Sequence, residues 1–570
     1  MKMKNLIKPG IVLFSLLFLT ALFFSFKKGD DFKISKNLDI YYTLFREVNM
    51  FYVDEVDPEK MVKESIDAML ESLDPYNKFY PESEVDELKF MTTGNYGGIG
   101  ALIQKKGDYA IISQPYKGFP ADKAGLRAGD KIKQINNKSV KGWSLNKISD
   151  ELKGIPNTNA KIVIERPGIK DTLVKNVARE KIHINSVPFY EFVGKNDDIA
   201  YIRLSKFTQN CAREVRNAYQ SLSKEKEPAG VVLDLRSNPG GLLDEAVNVA
   251  NLFVPKNQEI VSTKGRIKER NQTYYTENQP LDTNVRLAVL INRASASASE
   301  IVSGSIQDLD RGVILGQRTF GKGLVQITKP LSYNTKLKLT AAKYYIPSGR
   351  CIQAKDYSNR NEDGSVGEIP DTLIKEFTTR NGRKVYDGGG IRPDIEVKPK
   401  SLSKIEISLL SKNLIFDYAT HFRLKNDSIA PVEQFKISET TFTDFKNFLE
   451  EKNWDYTTET EKQLEKLINK AKDEKYYERA REEIKHLEKK VSHNKEKDIK
   501  EFSSSIKKLL KDEIVSRYYY QAGAIQAGLE ENDQLNKALE ILEDQKQYKN
   551  IIRGEFKRNN VQKMEDKLSD

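Results

Sequence analysis

The chain has 570 residues, 38% hydrophobic and 31% charged, which is too long for one core and too apolar for wholesale disorder, so two or three domains are expected. Its formal net charge is +11, yet Lys and Arg are interspersed with Asp and Glu along most of the length, which reads as a mildly basic solvated surface and argues against a nucleic-acid partner. Only Cys211 and Cys351 occur, far apart and without metal-ligand spacing; neither a disulfide framework nor a zinc site is signalled, and one long-range disulfide stays open.

At the N-terminus, Lys2, Lys4 and Lys8 precede an uncharged apolar run over 11–26, followed by Lys27 and Lys28. This is the pattern of an export signal or an uncleaved anchor. The run is intermediate in length between a signal-peptide core and a full span, and no A-x-A sequence follows, so retention as a membrane anchor is the preferred reading. Everything after about residue 30 is then expected to work outside the cytoplasm.

From Leu38 to about Leu88 apolar residues recur at three- and four-residue steps, which predicts helices, with a break at Asp74-Pro75. Glycines cluster between Gly94 and Gly100, and short β-like runs follow at 101–104, 109–113, 131–135 and 161–165. Strand-like segments at 199–204, 231–235, 285–291 and 313–315 then alternate with helical ones at 214–222, 242–253 and 298–309, which predicts βαβ units and a largely parallel sheet. After about Lys400 the chain turns Lys- and Glu-rich, with helical spacing at Leu464, Leu467 and Ile468 and again at Ile506, Leu509, Leu510 and Ile514. The expected division is a signal or anchor over 1–30, a helical region over 31–91, a β-rich module over 92–180, an α/β core over 181–400 and a charged helical region over 401–570.

The candidate chemistry begins in Asn292-Arg-Ala-Ser295-Ala-Ser297-Ala-Ser299-Glu300, between a predicted strand and a predicted helix. A serine at such a turn stands at the sheet edge, where N–H groups at the helix start can meet an oxyanion. Ser297-Ala-Ser-Glu300 is also a capping box, and local sequence alone favours that reading. Of the four histidines, His421, His486 and His493 fall in the charged C-terminal region and His183 precedes the core, so a Ser-His-Asp triad has poor candidates. Lys322 is flanked by Gly321 and Gly323 just after a predicted strand, where the backbone can turn sharply and bring an amine inward. To act as a base that amine must be neutral, a drop of about three pKa units costing about 4 kcal/mol. In isolation an exposed loop lysine is the plainer reading. Gly316-x-x-x-x-Gly321-Lys322 also has Walker A spacing, but Gly323 stands where a Mg²⁺-binding hydroxyl is needed and the following residues look like a strand.

Taken together, these segments resemble the C-terminal processing proteases, also called tail-specific proteases, which use Ser/Lys catalysis. Residues 295–301 match the family's S-A-S-A-S-E-I motif and residues 320–326 its F-G-K-G-x-V-Q motif. Further matches are Leu73-Asp-Pro-Tyr76, Asp234-Leu-Arg-Ser-Asn-Pro-Gly240-Gly241, Tyr345-Ile-Pro-Ser-Gly-Arg350 and Gly388-Gly-Gly-Ile-Arg-Pro-Asp394, and the resemblance covers about 38–400. It implies Ser297 as nucleophile, Lys322 as base, Gln326 as the residue orienting that lysine, and an oxyanion hole from the amides of Gly240 and Ala298. The implied fold is α/β and multidomain, with a crotonase- or Clp-protease-like parallel-sheet core, an inserted PDZ domain over 92–180 and a helical C-terminal region.

Within the PDZ-like module, Tyr96-Gly97-Gly98-Ile99-Gly100 is similar to a carboxylate-binding loop. Consecutive amides there can cradle a terminal carboxylate while the peptide adds as a strand. Expected partners are therefore protein substrates held by their C-terminal tails, and a membrane through residues 11–26, with no metal, cofactor or nucleic acid. The charged region after 400 is a candidate surface for a second copy or an adaptor. The expected location is the periplasm, at the inner membrane or secreted after signal cleavage. The rival reading is a catalytically idle PDZ scaffold at the membrane, which would have no need of Ser297, Lys322 and Gln326 together.

Overall fold

The computed structural model describes residues 28–361 and 363–555, so the apolar run 11–26 and the anchor expected there lie outside the described residues. Among the described residues no helix is long and apolar enough to cross a membrane. The described residues divide into two compact units, those up to 79 with 337–339, and those of 80–336 with those from 340 onward.

In the first unit, helices Lys28–Phe51 and Pro58–Glu71 account for the three- and four-residue apolar spacing. Asp57 caps the second helix by accepting the N–H groups of Glu59 and Lys60 at 3.0 and 3.1 Å, with Pro58 at the first helical position, where its missing N–H costs nothing. That helix ends before Asp74-Pro75, as the break predicts.

In the second unit, helix Val85–Thr93 stops at Gly94, whose φ of +69° suits a helix C-cap. Asn95–Gly98 and Glu180–His183 then pair antiparallel as a ribbon through which the chain enters and leaves the β-rich module. The module's sheet runs in the order Ala101–Lys106, Tyr109–Pro115, Lys131–Ile135, Asn159–Glu165, Leu173–Ala178. Each β-like run of the sequence is a strand in it. The last strand and the helix Leu145–Leu152 were not expected, yet Ile148, Leu152 and Val177 sit in one core with Ile112, Ile132 and Ile162. Ala101–Lys106 is an edge strand, so one side of its backbone is open to strand addition.

The α/β core holds a six-stranded sheet in the order Phe189–Val193, Ile199–Arg203, Gly230–Asp234, Arg286–Ile291, Val313–Gly316, Ile395–Glu396. The first pair is antiparallel and the rest are parallel. Side chains alternate across it with period two. Val231, Leu233, Leu287 and Val289 face helices Cys211–Glu225, Leu243–Asn251 and Ala298–Asp308, while Val232, Ala288 and Leu290 face the other way. That second face is covered by Leu535, Ala538, Ile541, Leu542 and Ile551 from helices Asp533–Glu543 and Gln545–Ile552. The charged C-terminal region therefore supplies a layer of the core, a contribution its composition does not announce. Helices Lys404–Ser411, Leu414–Lys425, Glu439–Glu450 and Ser503–Leu529 form a separate cluster around Ile415, Tyr418, Phe445 and Ile514. Cys211 and Cys351 are both free thiols, so the one disulfide the sequence left open is not formed.

Candidate active site

In a parallel sheet the strands' carboxyl ends open onto loops that face a common crevice. Strand Arg286–Ile291 leads there into the serine-rich turn and then into helix Ala298–Asp308. Ser297 takes φ 55° and ψ −114° immediately before the helix, a conformation an L-residue holds only where its surroundings enforce it. The three serines of the turn differ sharply. The Ser295 hydroxyl donates to the Leu235 carbonyl at 2.8 Å and accepts the Asn292 N–H at 2.9 Å, and the Ser299 hydroxyl donates to the Asn238 carbonyl at 2.9 Å. Both residues are fully buried, whereas Ser297 is only half-buried. The capping box is present: the Ser297 side chain faces the Glu300 N–H, the Ser297 N–H donates to Glu300 Oε2 at 2.8 Å, and the Glu300 N–H lies 2.8 Å from the Ser297 carbonyl oxygen.

Strand Val313–Gly316 feeds the turn that carries Lys322, itself half-buried. A strand, Leu324–Pro330, follows it. No helix opens there, so the phosphate-loop alternative lacks the helix N-terminus it requires. Gln326 lies on this strand and donates to Thr340 Oγ1 at 3.3 Å.

Two groups that the sequence reading did not single out join the serine turn to the lysine turn. Glu300 is fully buried; its Oε1 accepts the Thr319 hydroxyl at 2.6 Å and the Gly321 N–H at 2.7 Å, and its Oε2 accepts the N–H groups of Ser297 at 2.8 Å and Lys322 at 2.9 Å. Burial pushes its pKa up, against these four hydrogen bonds, which favour the carboxylate. The Tyr344 hydroxyl lies 2.6 Å from the Lys322 carbonyl oxygen and 3.3 Å from that of Ser297. Thr319 also accepts the Ile391 N–H at 2.6 Å, so the glycine-rich motif at 388–394 braces the lysine turn. Glu300 was legible only as a capping partner, and no sequence signal marked Tyr344.

The loop after strand Gly230–Asp234 lies against the same turn. Burial opposes ionisation of Asp234, but Arg236 and Arg203 outweigh it and bring the carboxyl down to about 2. Asn238 stitches this loop in place: its Nδ2 donates to the Leu204 carbonyl at 2.8 Å, and its own carbonyl accepts the Ala296 N–H at 3.1 Å. Gly240 has φ +96°, and a Cβ there would stand 2.8 Å from Ser297 Cβ and 2.9 Å from the Ala298 nitrogen. The two amides expected to form the oxyanion hole are thus neighbours. That of Gly240, however, donates to Asn238 Oδ1 at 2.9 Å, whereas Ala298 heads its helix, where the first N–H groups have no acceptor within the helix.

In the β-rich module, Tyr96, Gly97 and Gly98 belong to the entry ribbon, and the Gly97 carbonyl accepts the Gly154 N–H at 3.1 Å. Ile99 is buried, and its carbonyl accepts the Ala121 N–H at 2.8 Å. Gly100 turns at φ +72° immediately before the open edge strand. Burial and the neighbouring Tyr116 push the Tyr96 phenol up in pKa, opposed by the Gly100 and Ala101 amides that face its oxygen.

Residues 198–360 match the model of peptidase family S41, residues 111–166 that of a PDZ domain, and residues 405–542 that described as the C-terminal helical domain of a probable PDZ-protease. The carboxy-terminal-processing protease of Bartonella bacilliformis is 36% identical over 345 residues, covering 60% of this chain and 76% of that protein. A probable CtpA-like serine protease of Staphylococcus aureus strain N315 is 34% identical over 355 residues, covering 62% and 69% respectively. Among solved structures, a photosystem II D1 C-terminal processing protease is 29% identical, covers 64% of this chain and 93% of its own, and superposes with a TM-score of 0.35. Since the curated relatives align over more than two thirds of their own length and the S41 match spans both the serine and the lysine turns, the chain belongs to the carboxy-terminal-processing proteases of peptidase family S41 and is a serine-type peptidase with a PDZ domain.

Proposed function

We propose that this peptidase works through a Ser297/Lys322 dyad on envelope proteins selected by their C-terminal tails. The observation that carries the dyad is the unequal fate of the three serines: Ser295 and Ser299 are buried with their hydroxyls spent on main-chain partners, and Ser297 alone remains half-exposed on a turn hydrogen-bonded to the lysine turn. Neutral Lys322 takes the proton as Ser297 Oγ attacks the peptide carbonyl, then returns it to the leaving amine. A water that the same amine activates clears the acyl-enzyme. The Ala298 N–H meets the oxyanion. For Gly240 to donate as well, its N–H has to leave Asn238 Oδ1. Gln326 orients the lysine.

The tail is held at the start of the edge strand Ala101–Lys106, with its carboxylate on amides of the 97–100 loop and its backbone added to the open edge. The positively flanked run over 11–26 holds the enzyme at the inner membrane, facing the periplasm. The charged helices after 400 present a surface to a second copy or an adaptor.

The test is one peptidase assay on purified Ser295→Ala, Ser297→Ala and Ser299→Ala, with a substrate whose C-terminus is either free or amidated. Ser297→Ala alone is expected to abolish turnover while remaining folded, and amidation to slow the wild type. Full turnover by Ser297→Ala would end the dyad mechanism, and equal rates on both substrates would end tail selection. Failure of a small covalent serine probe to label the wild type would favour the idle scaffold.

A further inference from the structure

The Glu300 carboxylate has no exposure to solvent, and all four of its hydrogen bonds go to the two turns that carry the proposed nucleophile and base. A capping role explains one of the four, the N–H of Ser297. It leaves unexplained why a helix cap should be fully buried and why three donors come from the lysine turn. Two of them are main-chain amides, of Gly321 and of Lys322 itself, and the third is the Thr319 hydroxyl. Oε2 alone receives the amides of Ser297 and Lys322, so one oxygen atom sets the distance between the two backbones. From the carbonyl side the Tyr344 hydroxyl approaches the same two residues. The lysine turn has little stiffness of its own, because Gly321 and Gly323 flank Lys322, and Ser297 is held in a strained conformation that needs external support.

We infer that Glu300 is a positioning residue that locks the Ser297 and Lys322 turns to each other through its buried carboxylate, and so sets the geometry of the dyad. The inference rests on the dyad reading. It differs from a cap in what it predicts: a cap contributes stability, whereas a lock between two reacting groups contributes rate, since a displacement of about 1 Å can cost roughly 10²-fold in turnover.

The chemistry of the substitution is specific. Glu300→Gln preserves volume but replaces one acceptor oxygen with an NH₂ donor, which then faces two donors and loses both hydrogen bonds. The experiment measures kcat, KM and the rate of covalent labelling by a small fluorophosphonate probe for wild type, Glu300→Gln, Thr319→Val, Thr319→Ser and Ser297→Ala, with thermal unfolding of each. Glu300→Gln is expected to lower kcat and labelling together by roughly 10²-fold with KM within about threefold. Thr319→Val, which removes one donor to the carboxylate, is expected to show a smaller loss of the same kind, and Thr319→Ser, which keeps the hydroxyl, to restore kcat. Should Glu300→Gln fail to fold, the Thr319 pair decides, and equal kcat for Val and Ser overturns the inference. A folded Glu300→Gln enzyme with a lowered unfolding temperature and wild-type kcat overturns it too, leaving a cap. Turnover by Ser297→Ala would fail the dyad reading itself and take this inference with it, whereas inactive Ser297→Ala beside fully active Glu300→Gln fails the inference alone.

Discussion

At Gly240 an added Cβ would lie 2.7 Å from the Ala296 carbonyl oxygen and 2.8 Å from Ser297 Cβ, both inside van der Waals contact, and φ of +96° would strain any side chain. Neither neighbour is the loose end of a flexible side chain, so relief has to come from movement of the serine turn. Gly240→Ala is therefore expected to cost about 1–3 kcal/mol in stability and, beyond that, to suppress covalent labelling of Ser297. A folded variant labelled at the wild-type rate would show that the loop and the serine turn move independently. This residue also marks how far the sequence could be read. The glycine pair and its neighbourhood were legible through the family motif, but the engagement of its amide by Asn238 was not, because a side chain folding back onto its own loop leaves no periodic trace. Glu300 was hidden differently: as the fourth residue of Ser297-Ala-Ser-Glu300 it already had a sufficient local explanation.

Leu542 is completely buried against the sheet face formed by Ile199, Val232 and Leu290. Truncating such a side chain loses its transfer free energy and leaves a cavity, so Leu542→Ala is expected to destabilise the chain by about 2–5 kcal/mol in urea unfolding. Activity per folded molecule should stay the same, since the serine and lysine turns pack with the opposite layer. A change below 0.5 kcal/mol, the range of surface substitutions, would mean that the last helices dock only loosely. The core strands were legible because both of their faces are covered and they read as near-continuous apolar runs, as at 231–235 and 285–291. The helices on one face follow their strands directly in the chain and were legible with them. Helix Asp533–Glu543 was not, for a physical reason: its stripe of Leu535, Ala538, Ile541 and Leu542 declares an apolar face but not the surface it covers, and the sheet it belongs to precedes it by a whole helical cluster.

The joint between the peptidase core and the C-terminal helices carries a titrating group. Glu191 lies on the edge strand Phe189–Val193, and Gln526 of helix Ser503–Leu529 donates to it at 3.1 Å and to Glu433 at 2.5 Å. Burial first, and then the charge of Glu433, raise the Glu191 carboxyl from 4.5 to about 7, with Asp197 adding in the same direction. A carboxyl whose folded-state value is raised keeps its proton where the unfolded chain has released it. The folded state thus binds more protons between about 4.5 and about 7, and stability falls as pH rises through that window. Asp512, on the same helix, is raised to about 6 by burial and adds a fall of the same sign. Asp234, held down to about 2 by its arginines, contributes stability that is lost only in stronger acid, so it does not mask the effect. Comparison of wild type with Glu191→Gln isolates the group: thermal unfolding followed from pH 5 to 8 should show the wild type losing more stability than the variant across this range, with the two curves parallel above the Glu191 value. Parallel curves throughout would show that Glu191 ionises without cost, and that the contact through Gln526 does not bear on how the helical region holds the core.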